Sequence, residues 1–131
     1  MLKESKCRHG CGCGNCMPHS HGSVGSEIIN TLPDQKQISI VSSAMKQLGD
    51  PVRLRIFWLL CHCEESVINI AEIMGMSSPA VFHHLKLLKT SSLISARREG
   101  KEMYYRAVDS ELVAKLHKTI EDVAEITCPK K

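Results

Sequence analysis

Apolar positions recur at helical spacing along much of this 131-residue chain, which predicts a mainly α-helical protein. The stretch 35–48 carries one apolar edge, whose members step by three and four: Ile38, Val41, Met45 and Leu48. The next stretch, 52–61, is apolar nearly all round and is predicted to be the central core helix. Asp50 is expected to cap it, with Pro51 at its first position.

Two further helical patterns lie close together, at 68–75 and 77–89. The first stops at Gly75, and a tight turn leads into Ser77, whose hydroxyl is predicted to cap the second helix. Pro79 lies in the first turn, where a missing N–H costs little. One face of the second helix is an apolar stripe of Val81, Leu85 and Leu88. Two helices joined by a short glycine-containing turn are typical of a helix-turn-helix.

The residues after these helices predict a β-hairpin and a last helix. Residues 93–98 and 103–107 have strand composition, and 99–102 form the expected turn. A helix is predicted over 109–126, capped by Asp109, with an apolar stripe of Leu112, Val113, Leu116, Ile120 and Val123. The predicted fold is therefore mainly α with a small β-hairpin, a winged helix-turn-helix. Such a stripe in a small domain needs a partner, so we expect it to form a two-fold dimer interface with the first helix.

Positive charge is concentrated in the predicted helix-turn-helix and hairpin. Residues 77–106 hold six Lys/Arg and two Glu, a net charge of +4, whereas the whole chain carries only +3. This excess favours binding to double-stranded DNA. The alternatives are a solvated charged hairpin and, for His84, a packed helix residue. The predicted DNA contacts are Ser77, Ser78, Pro79, His83, His84, Lys86, Lys89, Arg97, Arg98 and Lys101.

The composition of the chain indicates its class of protein and the cellular compartment in which we expect it. The chain is 43% hydrophobic and 24% charged, as is ordinary for a soluble globular protein. It has no apolar run of membrane-spanning length and no apolar region typical of a secretory signal, so we expect no membrane partner and a cytoplasmic location. A reducing compartment disfavours structural disulfides, so the seven cysteines indicate metal or redox chemistry.

Three segments are predicted: a Cys/His-rich arm over 1–32, a DNA-binding and dimerisation domain over 33–127, and a tail over 128–131. The arm holds four Cys, three His and five Gly, without helical or strand periodicity. This composition is typical of metal binding, and thiolates prefer soft or borderline ions such as Zn(II), Cd(II), Pb(II) or As(III). The alternative is a flexible tail with adventitious affinity for metals.

Four stretches in order, 50–56, 70–77, 84–88 and 97–106, resemble the ArsR/SmtB family of metal-sensing repressors. The resemblance covers roughly residues 36–126. It implies a dimeric winged-helix repressor that leaves its operator when an inducer, usually a metal ion, is bound. Phe82 departs from the family pattern, in which a small residue is common.

The resemblance also implies metal sites. In several family members a Cys-x-Cys pair joins cysteines of the N-terminal arm, which here implies Cys7, Cys11, Cys61 and Cys63. The alternatives are a buried core residue for Cys61 and a surface thiol for Cys63. The family's second site falls on Asp109, Glu111, Asp122 and Glu125, where carboxylates replace both histidines. Further candidate ligands are Cys13, Cys16, Asp109 and the i, i+4 pair His117 and Glu121.

These patterns together predict a metal-responsive transcriptional repressor that binds operator DNA as a homodimer. It would be released when Zn, Cd, Pb or As(III) binds cysteine thiolates. A thiol-based redox or reactive-sulfur sensor would use the same cysteines, and a metal-storage protein would leave the winged helix without a role. The sequence contains no nucleotide-binding loop, oxyanion cradle or paired catalytic carboxylates, so an enzyme is not predicted.

Overall fold

The computed structural model describes residues 27–126. The chain divides into two units, residues 1–37 and 38–131. In the described part of the first unit, a helical turn occupies 27–30, and the Asp34 carboxylate accepts a 2.9 Å hydrogen bond from the Gln37 amide. The four cysteines of the predicted N-terminal arm and the predicted tail lie outside the described residues. The three domain limits therefore stay predictions.

From Gln35 onward, the described range contains five helices and three short strands. They follow in the order α1 (Gln35–Gln47), α2 (Pro51–His62), β1 (Glu65–Ser66), α3 (Val67–Met74), α4 (Ser78–Thr90), β2 (Ile94–Glu99), β3 (Glu102–Ala107) and α5 (Glu111–Ala124).

Side-chain caps and one glycine set the boundaries of α2, α3 and α4. The Asp50 carboxylate accepts hydrogen bonds from the amides of Val52 and Arg53, both at 3.0 Å, and these bonds help to lower its pKa. Helix α3 ends at Gly75, whose φ of 68° is the left-handed conformation that glycine adopts without strain. The Ser77 hydroxyl then accepts the Ala80 amide at 3.3 Å to begin α4. The predicted caps of α2 and α4 are confirmed.

The core lies where α2 meets α3, α4 and the sheet. Helix α2 buries Ile56, Phe57 and Leu60, which confirms the predicted core helix. The predicted stripe of α4 is also buried. The remaining buried apolar residues come from α1, α3, the β2–β3 hairpin with the residue before it, and α5: Ala44, Ile70, Ala71, Leu93, Ile94, Tyr105 and Val113.

The sheet has three antiparallel strands in the order β1-β3-β2. Strands β2 and β3 form the predicted hairpin, and Gly100 takes φ 65° in its two-residue loop. Strand β1 was not predicted. It pairs Glu65 with Tyr105 and Ser66 with Tyr104, and its two residues are too few to produce an alternating pattern.

The predicted cap of the last helix is wrong by one residue. Ser110, not Asp109, caps α5, and its hydroxyl accepts the Val113 amide at 3.2 Å. The Ser110 amide donates to the Val108 carbonyl at 3.0 Å, and this turn leaves Asp109 before the helix. Helix α5 is accordingly shorter at both ends than the predicted 109–126.

The predicted apolar edge of α1 is mostly exposed in the single chain. Ala44 is the buried residue of this helix, whereas Ile38, Val41 and Met45 remain 45%, 38% and 59% exposed. Helices α3 and α4, joined by the Gly75 turn and followed by the β2–β3 hairpin, form a winged helix-turn-helix. Across the described residues, no helix has the length and apolar character needed to cross a membrane.

Candidate nucleic-acid interface and metal centre

Helix α4 presents a polar and basic face to solvent. Val81, Leu85 and Leu88 are fully buried and fix the helix against the core. The opposite face exposes Ser77, Pro79, Phe82, His83, Lys86 and Lys89, all but Phe82 being predicted contacts, whereas Ser78 is half-buried. A helix held by one apolar face, with basic side chains on the other, is the geometry that enters a DNA major groove.

His84 points towards the core side of α4. Its Nδ1 lies 3.3 Å from Nη1 of Arg53, and the side chain is half-buried. Desolvation by burial lowers the pKa of His84, which favours the neutral ring. Arg53 is itself fixed, because its Nε donates to the Gln47 carbonyl at 2.8 Å. This geometry supports the packing interpretation of His84, since the ring connects α4 to α2.

The basic side chains of the hairpin differ in whether they are paired with carboxylates. The Arg97 guanidinium donates to both Glu64 oxygens at 2.8 and 2.9 Å, and to Glu99 at 2.6 Å. It also lies 5.2 Å from the centre of the Tyr104 ring. The Arg97 hydrogen bond lowers the pKa of Glu64. Arg98 and Lys101, the other predicted hairpin contacts, are exposed near the tip. The charge of Arg97 is thus balanced by two carboxylates.

The Cys61/Cys63 pair lies at the end of α2. Cys61 is half-buried near the last turn, and Cys63 is the exposed C-cap residue in extended conformation. The Cys63 thiol lies 3.5 Å from the Leu59 carbonyl and donates to it. Two thiols at i, i+2 converge on one ion only where a helix ends, and α2 ends between them. The partners predicted for them, Cys7 and Cys11, lie outside the described residues.

A cluster of metal-ligating side chains joins α2 to α5. His117 Nε2 lies 3.0 Å from His62 Nε2 and 2.9 Å from Glu121 Oε2, and His62 Nε2 lies 3.4 Å from the same oxygen. The Trp58 indole N–H donates to Glu121 Oε2 at 3.0 Å. Among the described residues these three side chains form a group able to hold a metal ion.

The sequence indicated only part of this cluster. His117 and Glu121 were predicted from their i, i+4 spacing, whereas His62 was not, because 55 residues separate it from His117. Asp109, another candidate ligand, is not part of this cluster of His62, His117 and Glu121. The neighbouring Cys61 and Cys63 were a local signal that this helix end suits metal ligands.

Comparison with known proteins agrees with this architecture. The family model described as bacterial regulatory protein, arsR family, matches residues 50–96, which span α2 to the middle of β2. A relative from Synechocystis, named transcriptional repressor SmtB homolog, is 36% identical over 94 residues, covering 72% of this chain and 68% of that protein. The regulator KmtR of Mycobacterium tuberculosis is 35% identical over 85 residues, covering 65% of this chain and 64% of KmtR.

A solved structure provides a three-dimensional counterpart. It is the homodimeric winged helix-turn-helix DNA-binding domain of a possible ArsR-family regulator from Mycobacterium bovis. It is 35% identical, with a TM-score of 0.63, and the match covers 72% of this chain and 89% of that one. Fold and relatives define a winged helix-turn-helix transcriptional regulator, which confirms the predicted fold and that the chain is not an enzyme. The chain belongs to the ArsR/SmtB family of transcriptional regulators.

Proposed function

We propose that this protein is a dimeric repressor that binds double-stranded operator DNA and is released when a soft or borderline metal ion binds cysteine thiolates. The observation that carries the proposal is the two-sided character of α4: its apolar face is buried, and its opposite face exposes Lys86 and Lys89. A helix N-terminus and basic side chains contact phosphates, while polar groups in the first turn and His83 reach base edges.

The dimer is part of this proposal, because it would provide two recognition helices. Apolar residues of α1 and α5 stay exposed in the single chain, with Val123 at 78%. Burying them between two copies places one α4 on each half of a pseudo-palindromic operator. The homodimer formed by the Mycobacterium bovis domain is consistent with this arrangement.

The metal response is proposed for Cys61 and Cys63 together with Cys7 and Cys11. Helix α2 ends at His62, between the two thiols, so Cys63 leaves helical geometry directly after Cys61 and the pair fits a thiolate site. The thiolates would coordinate the bound ion strongly, and the cysteines must lose their protons to do so. Coupling of about 1–3 kcal/mol between ion and DNA would weaken DNA binding about 5- to 150-fold.

Fluorescence anisotropy of a labelled fragment of the protein's own upstream DNA tests the proposal. Reduced protein is titrated at fixed salt, then Zn(II), Cd(II), Pb(II) or As(III) is added, and peroxide in a separate series. We expect tight binding that at least one of these ions weakens by about 5- to 150-fold. Release by peroxide alone would indicate the thiol-based redox sensor instead, and absence of binding would contradict the repressor.

Cysteine variants test the assigned thiols. The C61S/C63S protein should bind DNA as the wild type does but should not respond to the ion. C128S, which changes a thiol outside the proposed set, is the matched control and should respond normally. Normal release of C61S/C63S by the ion would show that the assigned thiols are wrong.

A further inference from the structure

We propose that His62, His117 and Glu121 form a second metal site, built within one protomer from nitrogen and oxygen ligands. The site would take a borderline divalent cation such as Zn(II), and it would not require the thiolates proposed above. It connects the C-terminal end of α2 to the middle of α5.

The spacing of the ligand atoms is close to that of a tetrahedral zinc site. With Zn–N and Zn–O bonds of ~2.0–2.1 Å, tetrahedral geometry separates neighbouring ligand atoms by ~3.3 Å. The three separations here are 3.0, 2.9 and 3.4 Å. Side-chain shifts of a few tenths of an ångström would therefore place an ion among them.

The surroundings of the three side chains favour a preorganised site. Trp58 donates its indole N–H to Glu121 Oε2, and its ring lies 4.4 Å from the His62 ring. Such outer hydrogen bonds orient metal ligands. The side chains of His62, His117 and Glu121 are 15%, 21% and 14% exposed, so they are shielded from bulk water but reachable by an ion.

This site differs from the second site implied by the family resemblance. That site falls on Asp109, Glu111, Asp122 and Glu125, all of which are exposed. Two of them engage lysines of their own helix: Glu111 with Lys115 and Asp122 with Lys118, each at 3.3 Å. Asp122 is adjacent to Glu121 in sequence and so provides a matched control for it.

The chemistry of the ligands predicts which ions enter. Imidazole suits Zn(II), Ni(II) and related ions, whereas the thiophilic Pb(II) and As(III) favour sulfur ligands. Co(II), which is paramagnetic and accepts tetrahedral sites, is therefore a suitable probe. Trp58 is the single tryptophan of the chain and lies beside the site, so quenching of its emission reports occupancy.

The experiment uses the full chain with all seven cysteines changed to serine, titrated with Co(II) while Trp58 emission is recorded. We expect saturable quenching at one ion per chain. H62Q, H117Q and E121Q in this background should weaken the apparent affinity at least ~10-fold, a scale that loss of even an outer partner reaches. D122N should leave the curve unchanged, and As(III) should not compete.

Several outcomes would overturn the proposal. Superimposable curves for H62Q, H117Q and their parent would show that the cluster is only a hydrogen-bond network. A loss of affinity in D122N as large as in E121Q would show that the exposed carboxylates bind the ion instead. Far-UV circular dichroism checks that each variant is folded. The same glutamine substitutions in the reduced wild-type chain repeat the test, and there too they must weaken the binding of one Co(II) equivalent at least ~10-fold.

Discussion

Single side chains decide where the helices of this protein begin. Asp50, Ser66, Ser77 and Ser110 each accept at least one amide of the first helical turn, which would otherwise lack a partner within the helix. Asp109 and Ser110 are both good capping residues by type. The turn closed by the Ser110 amide and the Val108 carbonyl determines which of them caps α5.

Substituting these two neighbours tests that assignment. Ser110→Ala removes the acceptor of the Val113 amide and should lower the free energy of unfolding by ~0.5–2 kcal/mol. Asp109→Ala changes an exposed side chain before the helix and should stay within ~0.5 kcal/mol of wild type. Urea denaturation at a fixed protein concentration measures both. A larger loss for Asp109→Ala than for Ser110→Ala would restore the original prediction.

At the scale of elements, a short connection between α2 and α3 joins the core to the hairpin. Strand β1 extends the sheet beside β3, and the preceding Glu64 holds Arg97 of β2. Arg97 is therefore oriented by carboxylates, whereas Arg98 is exposed. Two adjacent arginines that look equivalent in sequence are expected to contribute differently to DNA binding.

The salt dependence of DNA binding separates the two arginines. Each phosphate contact contributes about one unit to the slope of log affinity against log salt. We expect Arg98→Ala to reduce the slope by about one. Arg97→Ala should reduce it by less than half as much, because Glu64 and Glu99 already balance its charge. Lys115→Ala, on α5, is the control and should leave the slope unchanged. Equal reductions for both arginines would contradict this distinction.

At the scale of the whole molecule, the apolar residues left exposed on α1 and α5 are the basis for the proposed dimer. Ile38, Val41, Met45 and Val123 are exposed in the single chain. Exposed apolar surface on two helices of one domain is typical of an interface. A dimer that buries it would also set the spacing of the two α4 helices.

Charge placed on that surface should prevent dimerisation. Val123→Glu or Met45→Glu would force an unpaired carboxylate into the interface, which is strongly unfavourable. Sedimentation velocity should give a dimer for the wild type and a monomer for each variant at the same micromolar concentration. The affinity of each monomeric variant for the operator should also fall. Ile68→Glu, at a 60% exposed position of α3, is the matched control and should remain dimeric. Dimers of both interface variants would place the interface elsewhere.

Sequence by itself determined the local structure of this protein. The caps at Asp50 and Ser77, the Gly75 turn, the buried stripe of α4 and the hairpin loop were all predicted correctly. Each depends on residues within one or two turns of each other, so spacing and residue type suffice. The excess of basic residues near α4 and the hairpin was likewise a property of composition.

Only the tertiary structure decided which distant side chains meet. It brought His62 against His117 across 55 positions, and Glu64 against Arg97 across 33. It also turned His84 towards Arg53. These contacts depend on how α2 packs against α4, α5 and the sheet, and no periodicity in the chain encodes that packing. The partly buried histidine and carboxylate cluster therefore became visible only once α2 and α5 were placed side by side.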